Sequence, residues 1–263
     1  MEESGLVATG ERTAPGLPDE EYWFARHEVA YRWIAARLTR RMDQRQAAGQ
    51  VIVDAGAGEG YGAAVLPGRV IALEYDAAAC AHMHRSYPQI AVTQANLDAL
   101  PLRTGSVDAI TCLQVVEHLW DLRGFLRECR RTLRPGGELI VTTPQRLTFS
   151  PGLDRGEKPV NPFHVEEFDG EQLHELLGEA GFDTVESRGV HHGPQLSAWE
   201  AEHGSIVAAQ VSAALTGSWP PDLRDMVRSV TPDDFVVDAD PFPADSAPIA
   251  GAQDLLAIAR VTA

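Results

Sequence analysis

The period of the hydrophobic pattern changes several times along the chain, and each change marks an element. Trp23, His27, Tyr31 and Ile34 recur on one helical face. They predict a helix that Asp19 caps and that runs to about Arg41, within a 19–46 segment set apart from the sheet. That face either packs on a sheet or serves as a lid carrying Tyr22, Trp23 and His27, while Arg37 to Arg45 reads as a solvated face. Short runs rich in β-branched residues follow at Val51–Val53, Arg69–Glu74, Ile90–Gln94, Val107–Cys112 and Glu138–Thr143. Helical stretches separate them, among them Ala77–Arg85 behind a capping Asp76 and the amphipathic Leu122–Leu133. Strand alternating with helix predicts an α/β fold, a doubly wound and mostly parallel sheet with helices on both faces.

The outer part of the chain is less regular. Residues 144–168 form a long loop, and Asp169 caps a helix Glu171–Ala180. A strand from Gly181 to Val190 comes next, then two helices in 196–230 broken at Gly217-Ser-Trp-Pro-Pro221. Phe235–Val237 and Leu255–Val261 are strand-like, the second read as the closing strand. The expected organisation is a tail over 1–18, with a contact at Thr9-Gly-Glu-Arg-Thr13, and one domain over 19–263. The segments 144–168 and 191–232 are insertions on the substrate side.

Chemistry concentrates at two places. The first is Asp54-Ala-Gly-Ala-Gly-Glu-Gly-Tyr-Gly62, a glycine-dense turn directly after a buried strand. Such a turn lets the backbone approach a ligand, and a helix opening at Tyr61 offers free N–H groups to an anion. Gly58, Gly60 and Ala63 can be fitted to a dinucleotide turn. Asp54 favours the other reading, S-adenosylmethionine (SAM), whose amino group gives a carboxylate something to bind. Glu74 ends the second strand, where an acid suits two ribose hydroxyls, and Asn96 is placed to bind an adenine amine.

The second place is Gln114-Val-Val-Glu117-His118, at the carboxyl end of a central strand, where open α/β sheets bind ligands. Gln114 and Glu117 are expected on one helical face. Glu117 with His118 can hold a divalent ion or act as an acid–base pair, or His118 can simply tie down a short helix. His164, in Asn161-Pro-Phe-His164, is pinned by the proline and is the leading catalytic or metal-binding histidine of the long loop. His192 ends the sixth strand and is a further candidate.

Composition narrows the partners. A net charge of −16 argues against nucleic acid and anionic membrane surfaces, and favours a neutral or cationic substrate. No stretch is apolar enough to span a membrane and the first residues lack a basic leader, so neither span nor signal peptide is expected. Cys80, Cys112 and Cys129 are odd in number and fit no metal spacing, which suits the cytoplasm. A homodimer is compatible with the sequence.

The ordered set Asp54-x-Gly-x-Gly-x-Gly60, Glu74, Asn96 with Leu100-Pro101, Glu117-His118 and Leu133-Arg-Pro-Gly-Gly137 resembles the class I SAM-dependent methyltransferases. The resemblance implies a Rossmann-like, seven-stranded sheet. It implies cofactor contacts from Asp54, Gly56, Ala57 and Gly58 at the methionine end. Glu74 and Tyr75 would lie at the ribose, Asn96 and Leu97 at the adenine, and Gln114 beside the sulfonium. Quinone-type members carry Glu-x-x-Glu-His where this chain has Gln114-x-x-Glu117-His118. From about residue 9 onward, Thr9-Gly-Glu-Arg-Thr, Tyr22-Trp-Phe with Arg26-His27, Asn161-Pro-Phe-His164, His192-Gly-Pro and Trp219-Pro-Pro are similar to actinobacterial sugar O-methyltransferases of methylmannose-polysaccharide synthesis. That closer resemblance implies methyl transfer to the reducing-end 1-hydroxyl of a short, partly methylated manno-oligosaccharide, assisted by magnesium (Mg2+). His164 or His118 would take the proton, Glu117 and His118 would hold the metal, and Tyr22, Trp23, His27 and His192 would contact the sugar.

Overall fold

The computed structural model describes residues 13–43, 49–159 and 161–262. Most of the predicted Thr9–Thr13 contact lies outside the described residues, but Thr13 itself is buried. The first half alternates strand and helix as its pattern demands. Helix α1 (Glu21–Asp43) precedes β1 (Val51–Ala55), α2 (Tyr61–Val65), β2 (Arg69–Glu74), α3 (Ala77–Ser86), β3 (Ala91–Gln94), β4 (Val107–Leu113), α4 (Leu122–Thr132) and β5 (Leu133–Pro144). The second half holds α5 (Arg146–Phe149), α6 (Gly170–Glu179), β6 (Thr184–His192), α7 (Pro194–His203), α8 (Ile206–Thr216), α9 (Pro221–Ser229), β7 (Phe235–Val237), α10 (Ala247–Ala250) and β8 (Asp254–Arg260).

The strands form one sheet in the order β3-β2-β1-β4-β5-β8-β6-β7. β3, β2, β1, β4 and β5 are parallel, and every pairing from β5 outward is antiparallel. Side chains alternate across this sheet. Ile52 packs with Tyr22, Ile34 and Leu38 of α1 on one face. Val53 packs with Phe125 and Leu126 of α4 and Leu177 of α6 on the other. Helices therefore cover both faces. The strand order reverses between β1 and β4, which is where a doubly wound sheet opens a ligand crevice at its carboxyl edge.

Several expectations are corrected. The sheet has eight strands rather than seven, because Phe235–Val237 pairs with β6 and becomes the outer edge. The segment read as the closing strand lies inside, between β5 and β6. Its Leu-Leu-Ala-Ile-Ala run is buried on both faces, as a central strand must be, whereas β7 is short and partly exposed. The 194–229 region holds three helices, not two, because Gly204 ends α7 ahead of the capping Ser205 of α8. β5 begins at Leu133, which already pairs with Val107, so the Pro-Gly-Gly stretch is a bulged strand start.

Two further corrections concern α1. Asp19 does not cap it: the helix starts at Glu21, and Asp19 adopts a φ of 68° and pairs with Arg228 at 2.7 Å. Nor do Arg37 and Arg41 belong to a solvated face, as expected for Arg37–Arg45, whose last two residues lie outside the described ones. Arg37 and Arg41 reach the buried carboxylate of Glu138, which also accepts from Arg260 at 2.7 Å. Burial would raise the Glu138 carboxyl, yet bonds from Arg260, Arg37 and Arg41 hold it below the usual carboxylate range. The arginine end of α1 is thereby tied to the middle of the sheet.

Candidate functional site

The glycine turn leaves β1 at the switch point. Gly56 and Ala57 donate their N–H groups to the Leu73 carbonyl at 2.8 and 3.1 Å, which folds the turn back over β2. Gly58 has a φ of +53°, and a Cβ built there meets nothing within 4 Å. Its N–H donates to Glu74 Oε2 at 2.9 Å, while Glu74 Oε1 accepts from the Asp76 amide at 2.8 Å. An acidic side chain thus stands locked beside an open, Cβ-free stretch of backbone, and these residues fit a ligand with an adenosine ribose. Tyr75 is 75% exposed next to it. Asn96 is exposed and bonded to Asp98 at 3.0 Å, whereas Leu97 is buried.

Asp54 is differently placed. It has no exposed surface. Thr111 donates to Oδ1 at 2.7 Å, and the Tyr31 hydroxyl donates toward both oxygens at 3.3 and 3.2 Å. The Tyr31 ring fills the space above Gly62, where a Cβ would lie 2.1 Å from Tyr31 Cζ. Burial pushes the Asp54 carboxyl up to about 6, against the pull of the Thr111 and Tyr31 hydrogen bonds. With α1 docked, the Tyr31 hydroxyl therefore occupies the side of this carboxylate that faces α1.

Gln114 follows β4 with a φ of 54°, a left-handed conformation uncommon for a side-chain-bearing residue. The expected shared helical face with Glu117 does not form, because only Val116–His118 makes a turn of 3-10 helix. Gln114 instead turns toward α1, accepting from Arg26 Nη2 at 3.2 Å and donating to Thr142 Oγ1 at 3.2 Å. Arg26 is buried, 3.2 Å from Asp254, with its guanidinium carbon 5.0 and 4.9 Å from the ring centres of Trp23 and Phe149.

Glu117 and His118 meet His164 of the long loop. One ligand atom from each lies within 4.8 Å of the others. The loop is brought there by backbone bonds, since the Val165 and Glu166 amides donate to the Glu117 carbonyl at 2.7 and 3.3 Å. His118 Nδ1–H donates to the Phe163 carbonyl at 3.0 Å, so its Nε2 carries the lone pair. His164 Nδ1–H donates to Glu167 at 2.7 Å, and its Nε2 accepts from Asn161 at 3.1 Å. Burial raises the Glu117 carboxyl; His118, His164 and a 3.1 Å bond from Thr143 counter it. The imidazole orientation by a carbonyl and a carboxylate is the arrangement that supports metal-ligating or proton-accepting histidines.

The remaining candidates lie elsewhere. Tyr22 is fully buried and donates to His192 Nε2 at 2.7 Å, while His192 Nδ1–H donates to Glu200 at 2.8 Å. His27 sits on the Tyr61 hydroxyl at 3.2 Å, and burial, with Arg26 nearby, lowers its ring to about 3. Trp23 is partly buried against Arg26. In this structure Tyr22 and His27 point their polar atoms into protein partners. Sequence reasoning gave no role to Glu167, Glu200 or Asp254. Glu167 had a signal, standing three residues after His164; Glu200 and Asp254 had none.

Val115 ties the two regions together: a Cβ on Gly56 would fall 2.5 Å from Val115 Cγ2, two residues before Glu117. The glycine turn and the histidine cluster therefore adjoin at the β1/β4 crevice.

Residues 53–141 match the family model described as a methyltransferase domain. A probable S-adenosylmethionine-dependent methyltransferase of Mycobacterium tuberculosis (strain ATCC 25618 / H37Rv) is 46% identical over 259 residues, covering 97% of this chain and 89% of the relative. A Mycolicibacterium smegmatis relative with the same description is 46% identical over 261 residues, covering 97% and 95%. A ubiquinone biosynthesis O-methyltransferase of Cupriavidus pinatubonensis is 30% identical over 174 residues, covering 56% and 66%. Among solved structures, a SAM-dependent methyltransferase of Thermotoga maritima, described as a possible histamine N-methyltransferase, superposes with a TM-score of 0.57 at 19% identity, covering 93% and 95%. At that identity the likeness concerns the fold.

Proposed function

This chain belongs to the class I SAM-dependent methyltransferases, and we propose that it methylates a sugar hydroxyl, most directly the reducing-end 1-hydroxyl of a short, partly methylated manno-oligosaccharide. The observation that carries an O-methylation is the cluster of Glu117, His118 and His164 beside the glycine turn. A hydroxyl must lose a proton as it attacks, and in this cluster an oriented imidazole stands beside a carboxylate and a second, buttressing imidazole. The saccharide half draws on the motifs of the outer segments and on the strongly acidic charge, which suits a neutral acceptor.

SAM supplies an activated methyl group on a sulfonium. Gly56, Ala57, Gly58 and Glu74 are the residues to hold it, with Tyr75, Asn96 and Leu97 flanking the nucleoside end and Gln114 the sulfur end. Asp54 takes the ammonium once Tyr31 yields its oxygens. His118 is the base: its Nδ1–H is anchored on a backbone carbonyl, which leaves Nε2 as the accepting atom, and the ring is only partly buried. His164 is more deeply buried and held on both nitrogens by Glu167 and Asn161, so it orients the His118 ring, which it meets edge to face at 5.0 Å. Alignment of hydroxyl, methyl and sulfur supplies much of the remaining acceleration.

The expected magnesium fits this donor set poorly. One carboxylate with two imidazoles suits manganese or zinc, whereas magnesium takes oxygen ligands. Proton removal is therefore assigned to the histidine.

Methyl transfer from labelled SAM to a panel of manno-oligosaccharides, with EDTA and then with magnesium, manganese or zinc restored, tests the proposal. Label on the sugar that survives EDTA is the expected result. Label lost with EDTA and restored by magnesium would move the activation to the metal. The partial match to ubiquinone-pathway O-methyltransferases favours a phenolic acceptor as the second reading. Label on a phenol and on no saccharide would establish it.

A further inference from the structure

One large side chain near the histidine cluster is not accounted for by folding. Trp120, two residues after His118, is 91% exposed. Phe163, whose carbonyl anchors His118, is 55% exposed. Trp120 thus offers a whole indole face to a ligand beside the segment that carries the cluster. Between Trp120 and α6 lies a cleft of about 280 Å³ whose walls include Glu166, Gln172, Glu175 and Leu176 over a floor of Phe168. Gln172 is only 9% exposed, and its Oε1 has no hydrogen-bond partner among the described residues, although its amide nitrogen donates to Glu166. A buried acceptor without a donor asks for one.

The cleft lies across one segment from the reaction centre. Val165 and Glu166 line it, and both bond through their amides to the Glu117 carbonyl. One short segment therefore walls both spaces. Resting on the saccharide reading above, we propose that this cleft is a remote acceptor subsite that stacks a second or later sugar ring on Trp120. A pyranose has an apolar C–H face for the indole and a rim of hydroxyl donors. Those donors meet the carboxylates of Glu166 and Glu175, and Gln172 Oε1 once its side chain turns outward from its buried position. The same carboxylates exclude phosphorylated or sulfated rings. The subsite makes the enzyme prefer a chain to a single sugar.

The test is steady-state kinetics of the wild type, Trp120→Ala and Trp120→Phe on manno-oligosaccharides of increasing length. In the wild type KM should fall with length. Trp120→Ala should raise KM for the longest acceptor about tenfold with kcat nearly unchanged, and leave the shortest acceptor unaffected. Trp120→Phe should recover part of the loss. A Trp120→Ala effect equal at all lengths, or absent, in an enzyme that does methylate saccharides overturns the subsite alone. So does a length-independent profile in which Trp120→Ala converts a wild-type dimer into monomers, since the indole is then a self-association contact. A wild type that methylates no saccharide overturns the underlying reading first, and the subsite with it.

Discussion

The glycine turn and the histidine cluster share one crevice but are built by different means. The turn is made of backbone, and its side-chain partner Glu74 lies sixteen residues from Gly58. The cluster is made of groups drawn from far apart: 45 residues separate His118 from the Phe163 carbonyl that holds it. A site of the first kind follows from local sequence. A site of the second kind exists only once the outer segments have packed. The family model ends at residue 141, so it spans the turn and Glu117-His118 but stops short of His164, His192 and everything that positions them. On the proposed reading, the donor side falls within what the family shares, and the acceptor side draws on the outer segments.

The sharpest way to break this division is to remove the proton acceptor. His118→Ala should lower turnover by about 10²–10⁴-fold, with SAM affinity measured by calorimetry within about twofold of wild type. His164→Ala should cost less in turnover, because it orients rather than accepts. If His118→Ala kept full turnover while His164→Ala lost it, the two roles would be exchanged. If both weakened SAM binding as strongly as they lowered turnover, the two regions would not be separable at all.

The turn side is tested by pH. Asp54 titrates near 3.8 in an unfolded chain and at about 6 when buried here. The folded state holds this proton more tightly, so the contribution of Asp54 to stability is fully present below 3.8 and is lost as pH rises through 6. The loss is on the order of 3 kcal/mol. At neutral pH the ligand-free protein therefore carries an ionised, buried carboxylate whose partners among the described residues are the Thr111 and Tyr31 hydroxyls. An ammonium group offsets that cost, and it needs the ionised form. SAM affinity should fall as pH drops below about 6. Asp54→Asn should flatten this dependence, weaken SAM, and raise the melting temperature of the ligand-free protein at neutral pH. A wild-type SAM affinity that stayed flat between mildly acidic and mildly alkaline pH would place the ammonium elsewhere.

Much of the cofactor side was legible because it is local. The runs at β1, β2 and β4, the capping by Asp76 and Asp169, and the acid at Glu74 are each fixed within a few residues. Family membership also removes the dinucleotide reading of the turn. What stayed hidden was long-range. No spacing announces that Asp254, at the start of a strand, will meet Arg26 from α1, or that Arg37 will leave the solvent for Glu138. Gln114 matched a helical spacing with Glu117, but a left-handed residue broke the helix before it began. The eighth strand was visible as three apolar residues, and its edge position depends on which neighbours β8 takes.

The smallest effect is expected at Tyr22, and it decides what the shell is for. Tyr22, His192 and Glu200 form a chain of hydrogen bonds resembling a proton relay, but it is closed at the tyrosine end by burial, not by a ligand. Burial raises the phenol far beyond any working pH, so Tyr22 donates and does not ionise. Tyr22→Phe removes one donor and leaves a buried imidazole nitrogen unpaired, at a cost of about 1–2 kcal/mol. Thermal melting should show that loss, while turnover changes less than about threefold. The relay then fastens the start of α1 over the sheet, and the chemistry stays with His118. A roughly hundredfold or greater fall in turnover at unchanged stability would instead put Tyr22 and His192 in the proton path, and the acceptor side would have two reactive histidine centres.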